Sequence, residues 1–516
     1  MGPSSLIPAQ VVAQHATRES CWIIVHNKVY DMTDFLDEHP GGSRIILRYA
    51  GKDATAAYEP IHPPNMISSN LPPEKHIGIA EPSASLVETP QTEEEKKREL
   101  LLSSRPPLDE ILNLHDFEAV ARAVLPPKAW AYYSSASDDE IAIRENRAAF
   151  QRVWFLPRIL RDVTKVDWST TILGQKSSLP IYISATALGK LGHPDGELNL
   201  TRAAGKHGII QMIPTLASCS FDEIVDACPT KSTSIPSAVR ASPLSDYVQH
   251  IMLHRYVNRD RELTKKYVQH AEKRGVSGLF ITVDAPQLGR REKDMRMKFV
   301  DDGAGAKVQE GQSGVKKDQG IARAISSFID PSLAWKDIPW FRSITKMPIV
   351  LKGVASPQDA IMALEAGVQG IVLSNHGGRQ LDNARSGLEN LVDIVAALKT
   401  RGPWPNPKFS VFIDGGVRRA SDVLKALALG ASAVGVGRGF LYAFSSYGQE
   451  GVERAIEILR DEFEMNMRLL GITNLSEINP DLVDASRLGT GLTPTDNLYS
   501  ATYQPLSLAQ FRGSKL

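Results

Sequence analysis

From about residue 108 to about residue 480, short apolar runs alternate with longer amphipathic stretches. Several of the runs are almost continuously apolar, as expected for parallel strands that are buried on both faces. Eight such units over roughly 300 residues favour an α/β fold of the (β/α)8 TIM barrel type over an open sheet. The predicted strands are Leu179–Ala187, Gly208–Leu216, a poorer one at His250–Val257, Gly278–Ala285, Pro348–Val354, Gly370–Gly377, Phe409–Gly416 and Ala433–Phe440.

The rest of the chain divides around this pattern. Residues 7–80 are dense in Trp, Tyr, Ile and His, with turn residues between short apolar runs, which predicts a separate small domain. Residues 81–107 carry a charged run and end in two prolines, a composition typical of a linker that is at most partly helical. Residues 108–516 hold the barrel, a polar stretch at Gly303–Gly320 that predicts a lid on the catalytic face, and a tail after Pro480 that we expect to wrap a neighbouring subunit.

Composition narrows the classes of protein. A chain of 516 residues with 42% hydrophobic and 23% charged residues is typical of a soluble globular protein with at least two domains. Lys plus Arg equals Asp plus Glu, 59 against 59, so charge favours neither nucleic acid nor an anionic membrane as a partner. The three scattered cysteines argue against a disulfide framework and fit a reducing compartment.

Location follows from two further features of the sequence. No apolar run reaches about 18 residues, so we expect no membrane span. The first residues, Met1–Pro8, carry no basic stretch, apolar core or Arg-rich amphipathic helix. We therefore expect a cytoplasmic protein, or one of the mitochondrial intermembrane space if a targeting segment is missing.

Two histidines in the small domain suggest a metal centre. His39 stands in the turn Glu38–Gly42, ahead of a helical run at Ser43–Tyr49, and His62 follows later in the chain. Two neutral imidazoles that face each other across an apolar slot make a six-coordinate, low-spin haem suited to electron transfer. Either histidine alone is more simply explained as a turn or surface residue. The residues able to line such a slot are Phe35, Leu36, Ile45, Ile46 and Tyr49.

The sequence around the two histidines supports their interpretation as haem ligands. The stretch from Ser20–Trp22 through His39 and its following Pro-Gly-Gly to His62 resembles a cytochrome b5-type domain over essentially residues 7–80. The resemblance implies a small α+β domain that binds haem b, with His39 and His62 as the two axial ligands of the iron.

Polar side chains stand at or near the ends of the predicted barrel strands. In a barrel of this kind, such side chains point into the mouth where active sites lie. Here they are Thr282, Asp284, Lys352, His376 and Asp414. Beyond the sixth strand, His376 is the natural proton acceptor at neutral pH, and Arg379 offers a planar fork for a carboxylate. Taken alone, this turn could equally be a loop with no catalytic role.

Two glycine turns predict an anion site. Phe412–Arg418 follows the seventh strand and Gly435–Arg438 follows the eighth. Their glycines admit close backbone approach, and phosphate between strands seven and eight is the commonest anion site of this architecture. The turns, with Arg418 and Arg438, therefore predict phosphate binding. Lys352 closes an apolar strand and needs a partner, either a flavin that becomes anionic on reduction or a structural salt bridge.

These residues, with the long stretches Ala129–Ser135, Thr282–Pro286 and Arg291–Asp294, resemble the FMN-dependent L-2-hydroxy-acid oxidase and dehydrogenase family over about residues 108–510. With the cytochrome b5-type domain in front, the whole chain is similar to the flavocytochrome branch of that family. The resemblance implies a homotetramer that oxidises a small 2-hydroxy acid, L-lactate to pyruvate above all, on FMN. It also implies that electrons pass to haem b and then to cytochrome c or a similar one-electron acceptor.

The resemblance implies roles for individual residues. The catalytic set is His376 as base, Asp284 as its orienting partner, Arg379 and Tyr132 at the substrate carboxylate, Tyr256 at the hydroxyl, Arg291 as an auxiliary cation and Lys352 at the flavin N1/O2 edge. The implied FMN contacts are Ala185, Thr282 near N5, Lys352, Ser374, Asp414, Gly415, Gly416, Arg418, Gly437 and Arg438. Ala187 and Leu216 stand where the family flanks the substrate side chain, and they match the lactate type rather than the glycolate type.

The third predicted strand departs from the family pattern. His254 and Arg255 stand where the family has Gln and Leu, and that Gln contacts the flavin. The preceding Ser232–Gln249 lacks strand or helix periodicity, so we interpret it as an extra segment, such as a retained intron. We therefore expect a barrel that loses core packing and a flavin contact. Pro214 and Gly439, where relatives have Ser and Pro, are smaller departures that remove no catalytic group.

Two other functions stay open from the sequence. Oxidation of a different 2-hydroxy acid, such as glycolate or mandelate, is distinguished by comparing turnover across side-chain sizes. A haem-binding electron carrier with an impaired barrel would show a normal haem spectrum, without FMN and without reduction by hydroxy acids.

Overall fold

The computed structural model describes residues 6–36, 39, 43–62, 66–67, 71–81, 93–229, 251–301 and 329–490. The proposed extra segment at Ser232–Gln249, the predicted lid at Gly303–Gly320 and the tail beyond residue 490 lie outside these ranges. Within them, no helix is both long enough and apolar enough to cross a membrane.

The N-terminal module is built on a four-stranded sheet. An edge strand and its central neighbour form a hairpin whose turn residues, His26 and Asn27, both have positive φ, as the tight turns that suit strand twist require. The strands are Leu6–Ile7, Trp22–Val25, Lys28–Asp31 and His76–Ala80. The helices are Ala9–Gln14, Ser43–Arg48 and Thr55–Tyr58, with a 3-10 turn at Pro73–Lys75.

The predicted linker contains one helix, Glu93–Ser103, of 11 residues. Leu101 and Leu102 pack against the core of the barrel domain, and Arg98 donates a hydrogen bond from Nε to the carbonyl oxygen of Val124 at 3.0 Å. The helical part of the linker is therefore attached to the barrel domain through both apolar and polar contacts.

The larger domain contains a closed barrel of eight parallel strands, as predicted. Each strand pairs with its neighbours along the chain, and the eighth pairs with the first, so no edge is left open. The barrel strands, numbered one to eight below, are Ile181–Ile183, Ile210–Ile213, Ile251–Arg255, Gly278–Thr282, Ile349–Val354, Gly370–Leu373, Ser410–Asp414 and Ala433–Val436. Several predicted strands extend beyond the observed ones; Phe440, for example, was predicted to end a strand but lies in the helix that begins at Arg438.

The expectation of a defective third strand was wrong. Ile251–Arg255 is fully buried and pairs with strand two through Ile251 to Leu253 and with strand four through Met252 to Arg255. The strand tolerates His254 because its Nε2 lies 2.6 Å from the Oγ1 of Thr282. It tolerates Arg255 because the guanidinium stacks 4.1 Å from the ring centre of Tyr267. Packing and hydrogen bonding thus override the poor strand propensity.

Helices cover the outside of the barrel, and side chains fill its interior. A separate interior cluster includes Tyr182, Phe280, Phe412 and Val350, so the barrel is a packed core with its open end at the strand C-termini. The last long helix, Arg438–Leu470, is interrupted at Tyr447 and Gly448. The other helices are Leu114–Val124, Pro127–Ser134, Ile141–Gln151, Leu198–His207, Phe221–Asp226, Arg261–Lys273, Glu292–Asp301, Ile338–Ile344, Pro357–Glu365, Gly387–Lys399 and Ala420–Ala428.

Two short antiparallel strand pairs of the larger domain lie outside the barrel. Trp154–Phe155 pairs with Val483–Asp484, and Thr170–Ile172 pairs with Gln175–Ser177. The first of these pairs ties the chain end beyond Pro480 to the start of the domain, within the residues that the structure describes.

Candidate active site

A cavity opens at the carboxyl ends of the barrel strands, where this architecture places its active sites. The sequence-predicted residues that line it are Tyr132, Ala185, Ala187, Leu216, Tyr256, Arg291, Lys352, His376, Arg379, Asp414, Gly415, Gly416, Arg418, Gly437 and Arg438. Asp284, Ser374 and Thr282 stand behind the wall, bonded to His376, Lys352 and His254 respectively. The structure therefore brings the predicted residues of the barrel domain together at one site.

His376 and Asp284 form the central pair. The Nδ1 of His376 lies 3.2 and 3.3 Å from the two carboxylate oxygens of Asp284. On the other side of the ring, Nε2 lies 2.9 Å from the phenol oxygen of Tyr256. Because Asp284 accepts the Nδ1 proton, Nε2 carries the lone pair and faces the cavity side of the pair.

Burial and charge act in opposite directions on this pair. Burial lowers the pKa of His376 below its ordinary value, and the carboxylate of Asp284 opposes that shift. Burial disfavours the charged form of Asp284, yet His376 and Lys352 hold the pKa of this carboxyl below its ordinary range. At neutral pH the pair is therefore a neutral imidazole beside an ionised carboxylate, which is the state a general base requires.

Three arginines surround the same part of the cavity. Arg379 donates to the carbonyl oxygens of Tyr132 at 2.7 Å and Ser135 at 3.1 Å, and its guanidinium lies 5.0 Å from the ring centre of Tyr132. Arg438 donates from Nε to the carbonyl oxygen of Tyr133 at 2.9 Å. These acceptors stand at or just beyond the end of helix Pro127–Ser134, where backbone carbonyls attract cations.

The arginines are crowded enough to favour an anion between them. Burial, with repulsion from Arg379, lowers the pKa of Arg291 to about 10. Burial also lowers the pKa of Arg438 to about 10, although Tyr442 opposes the shift. An anionic ligand would relieve this repulsion, because its negative charge would neutralise the buried guanidinium groups.

Lys352 has a partner within the protein. Its Nζ lies 2.9 Å from Asp414 Oδ2 and donates to the Oγ of Ser374, also at 2.9 Å. Ser374 in turn donates to Asp414 Oδ1 at 2.5 Å. The structural salt bridge considered from the sequence is thus present, and it fixes the ammonium at the cavity wall.

The glycine turn after strand seven is shaped for a ligand. Gly415 and Gly416 have φ of +93° and +79°, a region that side chains rarely adopt, and both line the cavity. Arg418 lines the same region, and its Nη2 is 3.1 Å from Glu118 Oε2, so its charge is shared with that carboxylate. The turn offers backbone N–H groups and a cation at one end of the cavity.

The cavity wall fits a polar planar cofactor with a phosphate. Among the described residues, Ser184 Oγ and His254 Nδ1 are buried without a hydrogen-bond partner, and both side chains line the cavity. Buried polar atoms in this state are costly unless a ligand supplies the missing bond. With Lys352 beside them and the glycine turn at the far end, the residues present suit FMN.

The side chains of His39 and His62, in the small module, face each other. The ring centres of His39 and His62 are 6.0 Å apart. Metal–nitrogen bonds of about 2 Å on each side, with the half-widths of the rings, span nearly this distance. His62 Nδ1 lies 3.0 Å from the carbonyl oxygen of Tyr58, and burial lowers the pKa of His62 to about 4, so its neutral Nε2 is available to iron.

An apolar slot surrounds the pair, as predicted. Leu36 and Ile46 belong to the buried core of the module, and Phe35, Ile45 and Tyr49 pack against that core. The phenol ring of Tyr58 stacks on His62 with centres 4.3 Å apart and planes within 3°. The residues therefore fit a haem with two imidazole ligands.

The haem module touches the barrel domain beside the cavity mouth. Lys190 Nζ lies 2.9 Å from Glu59 Oε2, and Ser218 Oγ donates to the carbonyl oxygen of Pro60 at 3.4 Å. Glu59 also accepts from His26 Nε2 at 2.9 Å. Because Glu59 and Pro60 precede His62 in the same segment, the contact brings the haem-ligand loop against the loops after barrel strands one and two.

Several site residues escaped the sequence analysis. Gln380 donates from Nε2 to the carbonyl oxygens of Asp284 and Gln287, both at 2.9 Å, and so ties the base loop to the loop of its partner. Glu118, which pairs with Arg418, lies 300 residues away in the chain. The polar residues next to His376 were the available signal for Gln380, whereas nothing in the local pattern marks Glu118.

The fold and the two sites define a two-centre oxidoreductase, with a substrate and flavin cavity in a barrel and a haem pair in a separate module. Comparison with known families agrees with this assignment. The family described as FMN-dependent dehydrogenase matches residues 121–485, and the cytochrome b5-like heme/steroid binding domain matches residues 8–88. The chain belongs to the FMN-dependent dehydrogenase family, and its cofactors are FMN and haem b.

Similar proteins cover both modules. An L-lactate dehydrogenase (cytochrome) of Wickerhamomyces anomalus is 52% identical over 98% of this chain and 84% of its own length. A protein with the same description from Saccharomyces cerevisiae is 48% identical over 99% of this chain and 85% of its own. Among solved structures, the flavin-binding domain of baker's yeast flavocytochrome b2 matches with a TM-score of 0.69 and 48% identity, over 82% of this chain and 100% of that domain.

Proposed function

We propose that this protein oxidises a small L-2-hydroxy acid, L-lactate to pyruvate first of all, and delivers the electrons through its haem module to cytochrome c or a similar one-electron acceptor. The observation that carries the proposal is the His376–Asp284 pair, set beside buried arginines in the cavity of an FMN-dependent dehydrogenase. Relatives described as L-lactate dehydrogenase (cytochrome) support the substrate and the acceptor.

His376 is the proposed base. Its Nε2 takes a proton from the substrate, and the imidazolium that results is stabilised by Asp284 at 3.2 Å. Tyr256, whose phenol oxygen lies 2.9 Å from Nε2, contacts the hydroxyl end of the substrate. FMN, when bound, would take up the two electrons and the second hydrogen that the substrate loses, and haem b would supply a one-electron carrier between FMN and the acceptor.

The substrate carboxylate is assigned to the cationic part of the cavity. Arg379 is the main partner, because its guanidinium is held in place by carbonyl oxygens of the helix that carries Tyr132. Tyr132 contributes its phenol, and Arg291 acts as the auxiliary cation. Because the pKa of Arg291 falls only to about 10, it stays protonated at neutral pH and available to a carboxylate.

FMN is assigned to the other walls. Lys352, held by Ser374 and Asp414, is assigned to the N1/O2 edge of the flavin, where its positive charge would stabilise the negative charge that the ring gains on reduction. Ala185 and Thr282 are assigned to the ring system. The phosphate is assigned to the turns after strands seven and eight, at Gly415, Gly416, Arg418, Gly437 and Arg438.

Substrate size is assigned to two apolar residues that line the cavity, Ala187 and Leu216. A methyl side chain, as in lactate, is the size that such a boundary favours over a bare hydrogen or a phenyl ring. In a pocket of this kind, one extra or missing methylene changes discrimination by roughly 10- to 200-fold.

We further propose a division of the chain into two domains and a linker, a quaternary structure and a location. Residues 7–80 form the haem module, with His39 and His62 as iron ligands, residues 81–107 the linker and residues 108–516 the FMN-binding domain. Ile159 and Leu160 are 81% and 99% exposed, so an assembly such as a homotetramer would give them an apolar partner. The location is the cytoplasm or the mitochondrial intermembrane space, to be separated by cell fractionation.

The test is anaerobic stopped-flow absorbance of the FMN-loaded protein mixed with L-lactate. We expect the flavin band to bleach first and the haem band to become reduced afterwards, because the electrons enter at the barrel. Glycolate and mandelate, run in parallel, should reduce the flavin more slowly. A flavin band that L-lactate leaves oxidised would refute the proposed substrate, and a haem band that stays oxidised over a reduced flavin would refute the relay.

A further inference from the structure

The helix Ile141–Gln151 lies beneath two loops of the cavity at once. One is the base loop after strand six, which carries His376 and Arg379. The other is the glycine turn after strand seven, Gly415–Gly416. Neither the base nor the phosphate site includes a residue of this helix, yet the helix contacts both, so it is able to transmit the position of one loop to the other.

The contact with the base loop is made by backbone and side chains. Asp382, at the end of that loop, accepts hydrogen bonds from the backbone N–H groups of Ile141 at 3.2 Å and Ala142 at 2.8 Å. A Cβ added to Gly378 would come within 2.6 Å of the backbone nitrogen of Ile143. The loop therefore sits against the first turn of the helix with no room for a side chain.

The contact with the glycine turn is equally close. A Cβ on Gly416 would overlap the carbonyl oxygen of Asn146. Arg147 pairs with Asp422 at 2.6 Å, and Asp422 accepts from the backbone N–H of Arg418 at 2.9 Å. The turn and the start of the following helix are thus fixed to the same helix, Ile141–Gln151.

A reciprocal amide pair joins the two contacts. Asn146 and Asn375 each donate from Nδ2 to the Oδ1 of the other, both at 2.8 Å, and both side chains are buried, at 1% and 5% exposure. Asn375 Oδ1 also accepts from the backbone N–H of Gly378 at 3.0 Å, which settles the orientation of both amides. Asn375 directly precedes His376, whose φ of +59° is uncommon for any residue but glycine.

We propose that Asn146 is a positioning residue that couples occupancy of the phosphate end of the cavity to the placement of His376, through its amide pair with Asn375. This inference rests on the proposed function for the identity of the base. Asn146 acts from behind both loops: its backbone supports Gly416, and its side chain holds the residue before His376. When the pair is broken, the base loop loses one of the bonds that keep a strained residue in place.

The first test is Asn146→Asp, which keeps the volume of the side chain but places an oxygen opposite Asn375 Oδ1. Binding of FMN to the full chain is measured by flavin fluorescence, and we expect the dissociation constant to rise about tenfold, as for loss of a buried hydrogen bond. Asn146→Ala serves as the second variant, since it introduces no charge. Ala149→Gly is the matched control, because it weakens the same helix but removes no polar group.

The second readout is the pH dependence of oxalate binding to the FMN-loaded protein, followed by flavin absorbance. The dianion binds better when His376 is protonated, so this titration reports the pKa of the base without turnover. Displacing His376 from Asp284 removes the interaction that raises this pKa, so we expect the apparent value to fall by about half a unit or more. The other titratable or charged groups that face His376 are Lys352, Arg291, Tyr256 and His254.

A double-variant cycle decides between coupling and simple packing. If the amides act as one unit, Asn146→Ala and Asn375→Ala together cost little more than either alone. Additive effects, or wild-type values for both FMN binding and the oxalate titration in Asn146→Asp, would overturn the proposal. Equal shifts in Ala149→Gly would overturn it as well. A wild-type chain that binds FMN and oxalate but oxidises no hydroxy acid would refute the proposed function alone.

Discussion

The haem pair and the barrel cavity are built in contrasting ways. His39 and His62 belong to one small module, and the groups that orient His62 lie within a few residues of it, as with the carbonyl of Tyr58. The barrel site instead draws on residues from Tyr132 to Arg438 and on the ends of most of its strands. One centre is specified locally, whereas the other exists only when the barrel is closed.

This difference has a consequence for how each centre fails. A substitution of His39 or His62 should leave the cavity intact, because neither histidine lines it, although the modules meet at Glu59, Pro60 and Met66. A substitution in the cavity should likewise leave the haem ligands in place. Electron delivery needs both centres, so the separation can be measured by following flavin and haem independently.

The largest expected effect is on the base. In His376→Gln the nitrogen that accepts the proton is lost, so flavin reduction by L-lactate should slow by up to about 10⁴-fold, the upper range for general base catalysis. Stopped-flow absorbance of the flavin band measures this rate. The haem spectrum is the internal control and should match wild type. A rate within tenfold of wild type would refute the assignment of His376 as the base.

The converse change is His62→Ala. Loss of one of the two imidazoles should abolish the low-spin haem spectrum and weaken haem binding by at least about 100-fold, more than loss of a supporting hydrogen bond costs. Flavin reduction by substrate should stay near the wild-type rate, while cytochrome c reduction disappears. A variant that keeps a low-spin spectrum would show that His62 is not an axial ligand.

The same contrast explains what the sequence could predict. The haem pair and its slot residues were readable because each lies in a short motif, and the eight barrel strands because apolar runs repeat along the chain. Strand three was misjudged since His254 and Arg255 look unsuited to a strand. Thr282, in the next strand, supplies a hydrogen bond to His254, and Tyr267, in the helix between the two strands, stacks on Arg255, so both polar side chains are accommodated.

Long-range partners were the main omission within the site. Lys352 needed a partner, and the sequence could not choose between a flavin and a carboxylate. Asp414, from strand seven, supplies the carboxylate. Asn146 gave no signal, because an asparagine in an amphipathic helix resembles a surface residue until its partner Asn375 is placed beside it. Such pairings arise from closure of the barrel rather than from any local pattern.

A smaller effect is expected for Asp284→Asn, which keeps His376 but removes the charge beside it. We expect kcat/KM to fall about 100-fold, because the imidazolium loses its stabilising carboxylate. Asp284 raises the pKa of His376 against the lowering effect of burial, so its removal should shift the acid limb of the pH profile to lower pH. The control is Asp330→Asn, which removes a buried carboxylate that pairs with Arg261 outside the cavity. An acid limb that moves to higher pH would contradict the assigned pairing.

The smallest effect should come from the contact between the modules. In Lys190→Gln the ion pair with Glu59 is lost, but both side chains are partly exposed, at 21% and 36%, so we expect electron transfer from flavin to haem to slow by only about two- to fivefold. The wild-type rate should fall with added salt and the variant rate should not, because screening acts on the same charges.

Lys190 and His26 hold the pKa of Glu59 below its ordinary value, so the contact should persist as pH falls until Glu59 takes up its proton. Lys206→Gln, which removes a lysine paired with Glu453, is the matched control. An unchanged salt dependence in Lys190→Gln would mean that the modules exchange electrons through a different contact.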